Sequence, residues 1–118
     1  MKLSERLAKA AFYFGKQRGY TAVTKAHSNG VDLIVCDTND NASIVFVAVM
    51  DTDYRKSIPI HGLGLTKAGT AREKALVGGA HAWMTETGYK GPIRYDAVWV
   101  GDSFLHHSVN IINPLTEP

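Results

Sequence analysis

Cysteine is almost missing from this chain: Cys36 stands alone among 118 residues, which excludes an internal disulfide and suits a reducing compartment. No apolar run approaches the ~20 residues that a membrane-spanning helix needs. The paired Cys–Cys and His-x-x-x-His spacings of zinc sites are absent, as are internal repeats, low-complexity tracts and linkers. Residues 1–6, Met1-Lys2-Leu3-Ser4-Glu5-Arg6, carry charge where a secretory signal keeps its apolar core. A cytoplasmic protein with no membrane partner is expected. The chain is 45% hydrophobic and 20% charged, enough apolar residue to fill one core. A single domain over residues 1–118 is expected, with a tail fraying from about residue 113.

Net charge is only +2 and by itself selects no partner. Its distribution says more. Residues 1–30 hold six bases and one acid, residues 31–54 five acids and no base, and residues 55–94 seven bases and two acids. An acidic centre between basic flanks has the outline of a metal-binding heart with phosphate-binding arms. Chance clustering of surface charge produces the same outline in short chains.

Periodicity sorts the chain into elements. Ser4 is placed to cap a helix running to about Arg18, with Gly19 at its left-handed terminus. Leu7, Ala11 and Phe14 share one face of it. Tyr20 to Thr24 has strand composition, Ser28-Asn29-Gly30 a turn, and Val31 to Cys36 a second strand. Asp37 to Asn41 reads as a polar turn. From Ala42 to Met50 apolar residues occur on both parities, so both faces are covered and this strand should be central. Asp51 to Leu65 is irregular. Thr70-Ala71-Arg72-Glu73 has the form of a capping box, opening a helix that buries Leu76, Ala80, Trp83 and Met84 and ends at Gly88. Gly78-Gly79 within it costs ~1 kcal/mol each relative to alanine, a cost that close approach to the sheet would offset. Arg94 to Val100 and Phe104 to Ile112 complete the strands. The second helix must cross over to set the fourth strand beside the central one. The expected fold class is α/β, a mixed sheet of about five strands flanked by helices, in the order αβββαββ.

Few residues suggest chemistry directly. Of the five histidines, His106 and His107 point to opposite faces of a strand, and His27, His61 and His81 lie on separate elements. Cys36 has the surroundings of a core residue. His61-Gly62-Leu63-Gly64 does not match a phosphate-binding loop. Tyr13, Tyr54 and Trp99 are scattered as core aromatics are. Arg94 is suited to pairing with Asp96 or to capping the preceding turn.

Taken together, the landmarks resemble the YraN-type bacterial proteins, a family similar in fold to restriction endonucleases and Holliday junction resolvases. The family pattern has a helix ending in Gly-Tyr, then Gly-Glu-Ile-Asp-Leu-Ile, Phe-Val-Glu-Val-Lys, a helix with a Trp-Leu-like end, and Arg-Phe-Asp-Val-Val. This chain has Gly19-Tyr20, then Asn29-Gly30-Val31-Asp32-Leu33-Ile34, then Phe46-Val47-Ala48-Val49-Met50, then Trp83-Met84, and Arg94-Tyr95-Asp96-Ala97-Val98. The matches span residues 5 to 112.

The resemblance implies a restriction-endonuclease-like fold, and its departures bear on activity. Nucleases of this fold hold Mg²⁺ with an Asp and a Glu, and a Lys two residues after the Glu shares that face of the strand. Here the Asp is Asp32, while Ala48 and Met50 occupy the Glu and Lys positions, and Gly30 replaces the Glu of the second motif. Asp32 is then the remnant of a catalytic site, and a metal ligand only if activity persists. No cofactor is expected; Mg²⁺ enters only if ligands have moved. Asp51 and Asp53 belong to the opposite face. Glu5 and Glu73 are candidates for a relocated ligand, and Lys67, Arg72 or Lys74 for the lost lysine. Arg55, Lys56, Lys67 and Arg72 are the candidate phosphate contacts. The leading expectation is a catalytically degenerate nuclease-fold protein that binds DNA or another nucleic acid without reading sequence. The alternatives are an active Mg²⁺-dependent endonuclease with relocated ligands, and a scaffold or interaction module, a homodimer among its forms, without nucleic-acid binding.

Overall fold

A computed structural model describes residues 2–27, 30–51 and 67–112, excepting the side chains of 24–27 and 67–70. Five strands form one mixed sheet in the order β1-β2-β3-β4-β5, with β1 at Thr21–His27, β2 at Val31–Asp37, β3 at Ser43–Asp51, β4 at Ile93–Val100 and β5 at Leu105–Ser108. Two α-helices accompany it, α1 at Leu3–Phe12 and α2 at Lys67–Thr87. Neighbours pair antiparallel except β3 and β4, which run parallel. This is the pairing that a crossover through α2 provides. The strand with apolar residues on both parities, β3, is the middle one, and its residues Ser43 to Val49 are all buried.

Alternation along the strands divides the core between the faces. On one side Ile34, Phe46, Ala48, Ala97 and Trp99 meet Leu76 and Ala80 of α2, with Trp83 and Met84 packed alongside. On the other, Leu33, Val35, Val45, Val47, Val49 and Val98 meet Ala10 and Phe14, with Leu7 and Tyr13 against them. Among the described residues no helix is long and apolar enough to cross a membrane.

Several expected boundaries move. The N-cap position belongs to Lys2; Ser4 lies inside the first turn, and the Lys2 backbone N–H donates to Glu5 Oε1 at 3.4 Å. The first helix does not stay regular to Arg18. It widens into a π-helical segment, Tyr13–Gln17, marked by the five-residue bond from the Arg18 N–H to the Tyr13 carbonyl, 3.1 Å, before Gly19 ends it at φ 71°. The wider turn brings Tyr13 and Phe14 inward together. The buried face is therefore Leu7, Ala10 and Phe14, and Ala11 is exposed. Helical segments number three among the described residues, where two were expected.

α2 opens at Lys67, before the anticipated box at Thr70, and closes as expected at Gly88, φ 74°. No tight approach occurs at Gly78, where an added Cβ meets nothing within 4 Å; Gly79 is buried. β5 stops at Ser108 because the next backbone groups are drawn away. Asn110 takes a left-handed φ of 58°, its N–H bonds to Asp96, and the Ile111 N–H bonds to the Tyr95 carbonyl at 2.8 Å. Ser28, Asn29 and the irregular stretch from residue 52 to 66 lie outside the described residues.

Candidate functional site around Asp32

Asp32 is the second residue of β2 and shares its face with Ile34 and Cys36, which border the core beneath α2. Leu33 pairs with Val47 and Ile34 with Phe46, so continuing that register sets Ala48 across from Asp32. Ala48 is fully buried and lies beside Ala97, while Met50 lies beside Trp99. The strand surface around the carboxylate is thus methyl, thioether and indole. An unpaired anion there is costly.

Two groups compensate it. The Val49 N–H donates to Asp32 Oδ2 at 2.7 Å, and Arg72 Nη2 of α2 donates to the same oxygen at 2.6 Å. Both side chains of the ion pair are about a quarter exposed, 23% and 24%. Arg72 Nη1 also donates to the Gly30 carbonyl. One guanidinium therefore ties the start of β2 to the second turn of α2. Gly30 is what permits this. Its φ is +99°, and a Cβ there would lie 2.5 Å from the Ala75 carbonyl oxygen and 2.7 Å from the Ala75 Cβ. A side chain at position 30 would meet α2, so glycine there and the placement of Arg72 on Asp32 belong to one arrangement.

Mg²⁺ does not fit these residues. It asks for several oxygen ligands in near-octahedral geometry. Among the described residues a single carboxylate stands here, already bonded to a cation, and the neighbouring strand offers no oxygen-bearing side chain at Ala48 or Met50. No group of three or more His, Cys, Asp or Glu suited to a metal occurs among the described residues.

The remaining candidates scatter. Asp51 turns to the opposite face, as its parity requires, and pairs with Arg6 at 3.6 Å. Glu5 is exposed at the start of α1 and Lys74 is exposed on α2. Cys36 is half-buried, its Sγ 3.5 Å from the Ala42 carbonyl. Trp99 is buried, and His81 is exposed and apart from the site. Arg55, Lys56, Asp53, Tyr54 and His61, with the side chains of Lys67 and His27, lie outside what is described. Of the two candidates for the lost lysine whose side chains are described, Arg72 and Lys74, Arg72 is placed on Asp32 and Lys74 is exposed.

A second polar centre, under the other face, was only partly anticipated. Arg94 does pair with Asp96: Nε and Nη2 reach its two oxygens at 2.9 Å each. Nη1 also binds Asp37 at 2.9 Å and Asp40 at 2.8 Å, and Nη2 donates to the Tyr20 hydroxyl at 3.1 Å. Asp96 is fully buried and also meets His107 Nε2 at 2.8 Å, while His107 Nδ1 lies 2.9 Å from the Tyr13 hydroxyl. Burial alone raises the Asp96 carboxyl, but the hydrogen bonds from His107, Arg94 and the Asn110 N–H outweigh it and hold the group below the usual carboxylate value. Asp37 behaves likewise: burial raises it, and bonds from Arg94 and the Asn39 N–H carry it below its usual value. Burial raises the Tyr13 phenol, with Arg18 opposing. An ionised Asp96 only accepts, so Nε2 carries the proton facing it, and Nδ1 shares the second hydrogen bond with the Tyr13 hydroxyl. Phe14 and Tyr20 stack at 5.6 Å, and the His107 ring meets Phe14 edge-on at 5.0 Å. Every proton is accommodated, which makes this centre a buried clamp. The sequence signal for it was two charges on one face of an apolar strand; His107 and Tyr13 gave no local sign of joining them.

Against known proteins, the chain matches no family model and no curated protein.

Proposed function

We propose that the chain is a restriction-endonuclease-like domain of the YraN type in which an ion pair has replaced the metal centre, and that it binds nucleic acid through phosphate contacts without cleaving it. The observation that carries this reading is the engagement of Asp32 Oδ2 by Arg72 and the Val49 N–H, with Ala48 and Met50 on the neighbouring strand where hydrolysis needs an anion and an ammonium. The arginine compensates the carboxylate that remains, so the fold keeps Asp32 without a metal. Phosphate contacts fall to cations around the start of α2 and the segment before it, Arg55, Lys56 and Lys67, and they confer salt-sensitive, sequence-independent affinity. Arg72 serves this surface only through the donors that Asp32 and Gly30 leave to it.

The test is incubation with nicked, branched and single-stranded DNA in Mg²⁺ or Mn²⁺. The expected result is binding that weakens steeply between about 50 and 200 mM salt, as counterion release requires, with no cleavage above background. Metal-dependent cleavage abolished by Asp32→Ala would overturn the degenerate reading. Absence of any salt-sensitive binding would remove nucleic acid and leave the interaction-module alternative.

A further inference from the structure

We infer that the outer face of α1 and its π-helical continuation is a binding site for single-stranded nucleic acid, with Phe12 as the stacking platform and Lys9 and Lys16 as phosphate contacts. This rests on the nucleic-acid reading above and gives it a face of the molecule far in sequence from the cations named there.

Four observations meet at this face. Phe12 is 62% exposed, an aromatic ring turned to solvent by a helix whose other face supplies Ala10 and Phe14 to the core. Beside it lies an open groove of about 440 Å³ lined by Ala8, Lys9, Phe12, Tyr13, Gln17 and Leu105, within the ~300–1,000 Å³ common for ligand sites. Lys9 lines the groove, and Lys16, four residues beyond Phe12 in the π-helical segment, is exposed as well. The lining is also held still, because Tyr13 is fixed through His107 to the buried Asp96, and the π-helical widening that permits this recurs at functional sites.

The chemistry of the face selects its ligand. An exposed aromatic ring flanked by ammonium groups is the pairing that single strands use, bases on the ring and phosphates on the cations. Lys9 Nζ has three donors, one of them on the Asp102 carbonyl at 3.3 Å, so two remain. The Gln17 amide offers a donor and an acceptor to a base edge. Among the described residues, the exposed acids near Lys9 are Glu5, one turn before it and bonded to the Lys2 N–H, and Asp102, whose carbonyl takes the Lys9 bond. A second copy of the chain is disfavoured as occupant, because a two-fold contact through Phe12 brings Lys9 and Lys16 toward their own images. Duplex DNA cannot offer a base to the ring without unstacking it.

The experiment measures fluorescence anisotropy of a labelled thymidine oligomer with the wild-type chain and with Phe12→Ala, Phe12→Trp and Lys9→Gln/Lys16→Gln, with sedimentation of each protein alone. Phe12 is exposed, so thermal melts of the variants should match wild type. Expected are about tenfold weaker binding for Phe12→Ala and near-full binding for Phe12→Trp with quenching beyond the wild-type tryptophan signal. The double lysine variant should lower the salt slope by about 1.4, roughly 0.7 for each phosphate that is no longer neutralised. Wild-type binding left unchanged by Phe12→Ala and by the lysine changes overturns the site while the nucleic-acid reading stands. No binding of the oligomer by the wild type overturns the site, and if nicked and branched DNA also go unbound the nucleic-acid reading falls with it. A wild-type dimer that Phe12→Ala converts to monomer assigns the face to self-association and overturns the inference.

Discussion

At the scale of single residues, the Asp32–Arg72 contact sets a partly desolvated ion pair against an apolar strand surface. Because neither side chain is more than about a quarter exposed, water screens the pair less than a surface contact. Charge-assisted hydrogen bonds in such a setting are stronger than neutral ones. A double-mutant cycle of Asp32→Asn and Arg72→Gln, read by urea denaturation, should return a coupling on the order of 1–3 kcal/mol. Coupling near zero would mean that the two groups hold their places independently and that the arginine does not compensate the carboxylate. That Asp32 stands on one strand with Ala48 and Met50 on the next was legible in the sequence, from the apolar patterns of the two segments. The partner of Asp32 was not. Arg72 is forty residues away, and it read equally well as a solvated phosphate contact or a lysine substitute.

At the scale of elements, the glycines of α2 and β2 divide by what surrounds them. Gly78 sits within a regular helix with open space at its Cβ position, so Gly78→Ala should stabilise the protein by about 1 kcal/mol. Gly30 combines a positive φ with the Ala75 backbone at its Cβ position. Gly30→Ala should therefore destabilise by well over ~1 kcal/mol and displace Arg72 from the site. Paired chemical melts of the two variants check both signs, and the same sign for both would contradict the packing described. Strand and helix identities were legible wherever one face carried a clear period: β3 from its apolar residues on both parities, α2 from Leu76, Ala80, Trp83 and Met84. What escaped depends on distant partners. The π-helical turn exists because Tyr13 and Phe14 are both drawn inward, one to a histidine and one to Tyr20. The shortness of β5 follows from Asp96 taking the Asn110 N–H. Neither leaves a local pattern to read.

Across the whole molecule, the buried polar centre makes stability depend on pH in a determined direction. The folded-state values of Asp37 and Asp96 both lie below their usual one. Their contribution is therefore fully present above the unfolded carboxylate range, about pH 4, and is lost as pH falls through the depressed folded values. Arg94 stays charged throughout, its bonds to Asp96 and Asp37 outweighing the burial that opposes its charge. Urea midpoints should be nearly level down to about pH 4 and then fall steeply. Asp37→Asn should start lower at neutral pH and show a shallower acid limb. An identical limb in that variant would place the titrating groups elsewhere.

Tyr13 and His107 are ninety-four residues apart in the chain, and Asp37 and Arg94 fifty-seven. Chains emerge from the ribosome in order, N-terminal parts first, so the first helix is made well before the ring that anchors it. Until β5 and the turn after it arrive, Asp96 lacks two of its partners, His107 and the Asn110 N–H. The clamp on the first helix is consequently completed only once β5 is made, and a nascent chain stopped short of β5 should leave α1 and the β4 edge open to proteases.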